Sequence, residues 1–252
     1  YQDLRSAEKE ALRIEHLLTM SSGLQWNEWE LPLSDPNNDL IQLWIVDERG
    51  NNERLLYEQE TALRTLGVSG LTAQRDALVV LQSSRHIGGW SYFLMSLEDG
   101  TMTGPVLARE GLEIERLIKD VNQVVYGVEY SGFKPTYAFF DQALNDRVAR
   151  IQQRLPGMSA RLVSWDDAFD KLLFAVEGDI TAGAYLMFEE GKDQPTPLGA
   201  FRPLIESGQV VPVEITEYAA RDGMTIPALI TVRADVREQG NAPLIVMPHG
   251  GP

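Results

Sequence analysis

The segment that decides the fold class reads LVVL at residues 78–81, YFLM at 92–95 and EDG at 98–100. It occurs a second time, as LLFA at 172–175, YLMF at 185–188 and EEG at 189–191. Each copy predicts two β-strands followed by a turn. The copies are about 94 residues apart, close to two units of the 40–50 residues of a propeller blade. Two unrelated hairpins would give a similar pattern, so the repeat is a prediction of three to four blades.

The remaining pattern is also mainly β, with one helix. Apolar and β-branched runs predict strands at 43–47, 115–118, 124–130 and 136–140. Residues 142–155 predict a helix instead, because Leu144, Val148, Ile151 and Leu155 fall on one face. The Pro-Gly pair at 156–157 marks the end of that helix.

A short polar segment at 206–209 indicates a domain boundary. Beyond it, strands are predicted at 210–218 and 224–232, with a turn at 220–223 that contains Asp-Gly. Residues 233–241 are predicted to form a charged loop. Residues 244–247, apolar and bounded by Pro243 and Pro248, predict a buried parallel strand. His249, Gly250 and Gly251 come next, and glycines there allow a sharp turn close to a ligand.

Composition excludes several classes of function. The formal net charge of −15 repels a phosphate backbone, so nucleic acid is not an expected partner. No apolar run reaches the length of a membrane span. With no cysteine and three scattered histidines, the sequence predicts neither a metal site nor a cysteine nucleophile, and no cofactor is expected. The chain does not begin with Met and is expected to be a fragment, so its compartment stays open.

Segments in the second half resemble one enzyme family. VEITEY at 213–218, RDGMTIPALI at 221–230 and HGGP at 249–252 resemble the start of the catalytic domain of the prolyl oligopeptidase family of serine peptidases. VYGVEY at 125–130, SWDD at 164–167 and FRPL at 201–204 resemble the late propeller of that family. The resemblance implies a partial β-propeller at 43–205, followed at 206–252 by the first strands of an α/β-hydrolase domain. It also implies oligopeptide substrates that the propeller selects by size, in the manner of the acylaminoacyl- and dipeptidyl-peptidase branches.

The resemblance assigns roles to the last motif. Gly250 and Gly251 would offer backbone N–H groups to an oxyanion hole. His249 lies where some relatives carry a tyrosine that assists the oxyanion, so its role is open. In this fold the serine, aspartate and histidine of the triad follow the oxyanion loop, and no Gly-x-Ser-x-Gly occurs in the chain. Nucleophile, acid and base are therefore expected after Pro252, and the chain alone is expected to be inactive.

Residues 1–42 differ from the rest. IEHLLTMSSGLQWNE at 14–28 resembles a signature of the serine β-lactamases and penicillin-binding-protein-like hydrolases. SAEK at 6–9 fits that family's Ser-x-x-Lys, but it lies in a charged opening segment and is interpreted as coincidence. We expect residues 1–42 to be foreign to the remainder of the chain. Two alternatives to the peptidase remain: a non-catalytic propeller that binds a partner, and a β-lactamase-like hydrolase that rests on these residues alone.

Overall fold

The computed structural model describes residues 40–46, 50, 52–60, 66–84, 89–178, 181–240 and 243–248. The predicted segment 1–42 lies almost wholly outside these residues. Over the described part the chain is mainly β, as the sequence predicts. None of the helices described there is long and apolar enough to cross a membrane.

The described strands form five sheets in which spatial order follows chain order. The first sheet contains β1 (Leu40–Val46) and β2 (Asn52–Glu60), and the second contains β3 (Leu66–Leu71), β4 (Ala77–Ser84), β5 (Gly89–Ser96) and β6 (Met102–Thr103). The third sheet contains β7 (Ile114–Lys119), β8 (Val125–Tyr130) and β9 (Thr136–Phe139). The fourth sheet contains β10 (Met158–Trp165), β11 (Lys171–Gly178), β12 (Thr181–Glu189) and β13 (Thr196–Ala200). The fifth pairs β14 (Val213–Ala219) with β15 (Thr225–Thr231). The helices are α1 (Gln142–Gln153) and α2 (Ala234–Gln239).

Both copies of the sequence repeat form the same element. In the first, β4 and β5 pair antiparallel with Leu78 opposite Met95. In the second, β11 and β12 pair antiparallel with Leu172 opposite Phe188. Each pair forms the centre of a four-stranded antiparallel meander, so the predicted hairpins are confirmed at both places.

A shared turn extends this repeat to three sheets. In each sheet the turn between the first two strands holds a non-glycine residue in the left-handed region: Arg75 (φ 59°), Gln123 (φ 62°) and Phe169 (φ 58°). Each donates its backbone N–H, at 2.9–3.1 Å, to the carbonyl three residues earlier. From Arg75 to Gln123 is 48 residues and from Gln123 to Phe169 is 46, so a unit of nearly constant length recurs.

The same turns share a side-chain hydrogen bond. The first residue of each is Thr or Asp, whose side-chain oxygen accepts the backbone N–H of the residue that begins the next strand or directly precedes it. The three bonds are Ala77 to Thr72 at 3.3 Å, Val124 to Asp120 at 2.9 Å and Lys171 to Asp166 at 2.9 Å. Short polar side chains satisfy backbone groups in this way at turns, which explains why Thr and Asp occupy these positions.

The described chain divides into two compact units, one of residues up to Tyr130 with 137–141 and one of 131–136 with 142–252. In the first, the sheets β1–β2 and β3–β6 share a core that includes Leu43, Leu56, Leu78 and Met95. The third sheet approaches β3 closely, since Leu71 donates its N–H to Gln123 O at 2.9 Å. In the second unit, α1 buries Leu144, Val148 and Ile151 as predicted and ends two residues before predicted Leu155.

Two sequence predictions are wrong. The sequence predicts a loop at 233–241, but 234–239 form α2, which begins with acidic Asp235 in its first turn and ends at Gly240 in the left-handed conformation. The sequence also predicts a buried parallel strand at 244–247, but the structure contains no strand there, and these side chains are 73–87% exposed. A parallel strand needs neighbours that supply its hydrogen bonds, and the only strands of the fifth sheet, β14 and β15, pair with each other.

Candidate functional site

The residues that the sequence assigns to an oxyanion hole, His249, Gly250 and Gly251, lie outside the described residues. Their assignment therefore stays a prediction. Within the described ranges, no three His, Asp or Glu side chains are grouped so that they could hold a metal ion. The parts of a site that can be described are the hairpin that precedes this motif and a cavity elsewhere in the same compact unit.

The two faces of the hairpin β14–β15 differ in their side chains. Its loop contains the predicted Asp-Gly turn, with Gly223 at φ 84° and its N–H donated to Ala220 O at 3.0 Å. On one face, Arg237 of α2 pairs with Glu214 at 2.9 Å. On the other face, Ile215 lies opposite Leu229, and both are exposed. An apolar sheet face of this kind is normally buried against another layer in a complete domain.

The contact between α2 and β14 is electrostatic. The hydrogen bond from Arg237 lowers the pKa of Glu214, and the same contact raises the pKa of Arg237. Both side chains are about half exposed, so the pair orients α2 more than it stabilises the fold.

A cavity of about 280 Å³ lies at the C-terminal end of α1. It is enclosed by the loop before β9, the turn after α1 and the first residues of β10. Most of the lining is apolar, and Pro135 and Ala160 are buried at its base. The lining residues are Lys134, Pro135, Thr136, Gln152, Leu155, Pro156, Gly157, Met158 and Ala160.

Local sequence explains why the cavity has this shape. Gln152, in the last turn of α1, donates its Nε2–H to Pro135 O at 2.9 Å and so fixes the loop to the helix. After the helix, Gly157 adopts φ 78°, and Met158 donates its N–H to Leu155 O at 3.2 Å. The Pro-Gly pair that ends the helix therefore also forms one wall of the cavity.

The cavity contains one charged side chain. Lys134 is exposed at its edge, and within the described part of the chain its ammonium takes part in no hydrogen bond or ion pair. No motif in the sequence marks Lys134 or Gln152 as a functional residue. The Pro-Gly pair is recognisable in the sequence only as a helix end, and nothing in the sequence places residue 135 beside residue 152.

A second charged group is structural. Glu129 of β8 is 1% exposed, and its Oε2 accepts from Arg116 Nε at 2.8 Å and lies 2.7 Å from Arg116 Nη2. Both residues lie on paired strands, so the guanidinium neutralises the carboxylate where β7 and β8 meet. A buried carboxylate requires such a partner, so we assign this ion pair a structural role in the pairing of β7 with β8.

Comparison with known proteins adds no assignment: no protein-family model matches the chain, and no curated protein matches it significantly.

Proposed function

We propose that this chain is the propeller and the first part of the catalytic domain of a serine peptidase similar to the prolyl oligopeptidase family. The parent enzyme would hydrolyse peptide bonds of oligopeptides. The observation that carries the proposal is the turn shared by three successive sheets at intervals of 48 and 46 residues. This is the unit length of a propeller blade.

Repeated antiparallel meanders support the gating part of the proposal. Propellers are built from four-stranded sheets arranged around a channel. The sheets β3–β6 and β10–β13 each have four strands in meander order. In the proposed enzyme this region would restrict access to the catalytic residues, so that short peptides enter and folded proteins do not.

The exposed apolar face of β14–β15 supports the proposal that this hairpin begins a catalytic domain. A two-stranded hairpin is marginal by itself and gains stability when further strands or helices cover it. Ile215 and Leu229 on this face are suited to be the first layer of a larger domain. In the proposed enzyme, the backbone N–H groups of Gly250 and Gly251 would then stabilise the negative oxygen of the tetrahedral intermediate, while a serine, a histidine and an aspartate later in the parent perform the chemistry.

The first test is peptide hydrolysis by the product of the full reading frame that contains this chain. We expect turnover of peptide anilides that declines as the substrate grows from a short peptide to a folded protein. The chain of 252 residues alone should show none. Turnover by the chain alone would contradict the placement of the nucleophile. If the full product binds peptides without cleaving them, the non-catalytic binding module replaces the peptidase.

The oxyanion assignment has its own test. Gly250→Pro removes the backbone N–H, and we expect kcat to fall by about 10²–10³ with little change in KM. Gly250→Ala keeps the N–H and is the matched control. Equal losses in both variants would indicate a conformational requirement for glycine instead of a hydrogen-bond donor.

A further inference from the structure

We propose that the cavity at the end of α1 binds a small monocarboxylate with a short apolar chain. The apolar group would occupy the cavity and the carboxylate would pair with Lys134 at its edge. This inference does not depend on the peptidase proposal, because the cavity is lined by none of the residues to which that proposal assigns chemistry.

The cavity has the size and lining for such a group. Its volume of about 280 Å³ is near the lower end of the range for small-molecule sites. Pro135 and Ala160 give it a buried apolar base, and half-buried Leu155 and Met158 form its walls. A methionine wall adapts to chains of slightly different shape, because its side chain is flexible and polarizable.

The polar groups select the charge. Lys134 is the only charged residue in the lining, and its ammonium has no partner among the described residues. Gln152, which also lines the cavity, uses one N–H of its amide on Pro135 O, which leaves the second N–H as a further donor. A carboxylate accepts from both groups, whereas a neutral amide of the same length gains no ion pair.

A purely structural role for Lys134 predicts something different. A cation near the C-terminal end of a helix stabilises the helix through its dipole. Arg150 already lies in the last turn of α1, and Lys134 donates no hydrogen bond to a helix carbonyl in the described chain. If Lys134 acted only on the helix, its substitution would change stability and leave ligand affinity unaltered.

The experiment titrates hexanoate, N-acetyl-leucine and hexanamide into the full chain while the NMR signal of the Met158 methyl group is followed. Lys134→Gln removes the charge at the cavity, and Lys171→Gln removes the same charge from an exposed position of the same unit. We expect saturable binding of at least one carboxylate. Its affinity should fall about fivefold in Lys134→Gln and less than about twofold in Lys171→Gln, with no loss for hexanamide.

The two carboxylates distinguish between two possible natural ligands of the cavity. Tighter binding of hexanoate indicates a free short-chain acid, and tighter binding of N-acetyl-leucine indicates the C-terminal residue of a peptide. Leu155→Trp fills the cavity and should abolish binding. If the thermal unfolding of this variant is not cooperative, it is misfolded, and the test of binding then rests on Lys134→Gln, whose altered side chain is exposed. No saturable binding, or equal loss of affinity in the two lysine variants, would overturn the proposal.

Discussion

The sheets β3–β6 and β10–β13 have the same strand order but are supported differently. In the first, Arg54 of the neighbouring strand β2 donates to the carbonyl oxygens of Leu97 and Glu98 in the turn after β5. In the second, Arg147 of α1 donates to the carbonyl oxygens of Phe169 and Asp170 and pairs with Glu190 at 3.0 Å. Carbonyl oxygens in turns can accept from side-chain donors, and here a strand supplies the arginine in one sheet and a helix supplies it in the other.

The comparison also shows where packing is tight. The turns after β5 and β12 each contain a glycine at φ 75°, Gly100 and Gly191. A Cβ on Gly100 would collide with the carbonyl of Leu56 in β2, whereas a Cβ on Gly191 would meet open space. The same backbone conformation therefore has a different cost of substitution in the two sheets.

The largest expected effect is that of Gly100→Ala. We expect it to destabilise β3–β6 by about 3 kcal/mol, because left-handed strain adds to a backbone collision. Gly191→Ala should cost only the strain, about 1 kcal/mol. Native-state hydrogen exchange of the amides of β4 and β11 measures each sheet separately. Equal costs would show that the neighbouring strand β2 does not press on the turn.

Arg147→Ala should have the next largest effect. The Arg147 side chain is only 13% exposed, and its removal takes away the donors to two carbonyls and the partner of Glu190. We therefore expect β10–β13 to lose about 2–3 kcal/mol of stability. Arg54 is exposed, and Arg54→Ala should cost about 1 kcal/mol in β3–β6. Arg147→Lys keeps the charge without the planar group of donors. A full rescue by lysine would mean that charge alone supports the sheet.

Among the shared turns, the cost of replacing the first residue by alanine should increase with the number of hydrogen bonds that its side chain accepts. Asp120 accepts the N–H groups of Asn122 and Val124 and the hydroxyl of Tyr126, so Asp120→Ala should cost about 1.5 kcal/mol. Asp166 accepts from Lys171, and Asp166→Ala should cost about 1 kcal/mol. Exposed Asp167 is the matched control, and its alanine variant should leave the exchange rates of β11 nearly unchanged.

The smallest expected effect is a pH dependence in the turn after β5. The hydrogen bond from the Thr101 N–H lowers the pKa of Asp99. Because the pKa of Asp99 is lower in the folded state than in the unfolded state, the carboxylate stabilises the turn above the unfolded pKa. This stabilisation is lost as pH falls through the folded pKa. The protection of the Thr101 amide, measured as its exchange rate relative to the intrinsic rate at each pH, should therefore fall in that acid range and stay constant in Asp99→Asn. Identical profiles would exclude the carboxylate as the cause.

Local pattern was sufficient to predict α1 and the central apolar strands such as β4, β5, β11 and β12, because alternating burial and a one-sided apolar stripe depend on local sequence. It did not predict β2, β3, β6, β10 or β13. It also predicted the repeat, since β4–β5 and β11–β12 have the same apolar pattern. It failed at residues 244–247, where an apolar run is consistent with a buried strand only if neighbouring strands are available. It also failed to find the cavity, because the contact between Pro135 and Gln152 joins segments whose proximity is not encoded by any local pattern.

The presence of a serine nucleophile can be tested by labelling the full reading-frame product with a fluorophosphonate and identifying the modified peptide by mass spectrometry. We expect a single labelled serine, within Gly-x-Ser-x-Gly and C-terminal to His249, and loss of peptide hydrolysis on labelling. Labelling of a serine within the first 252 residues, or no labelling at all, would contradict this expectation.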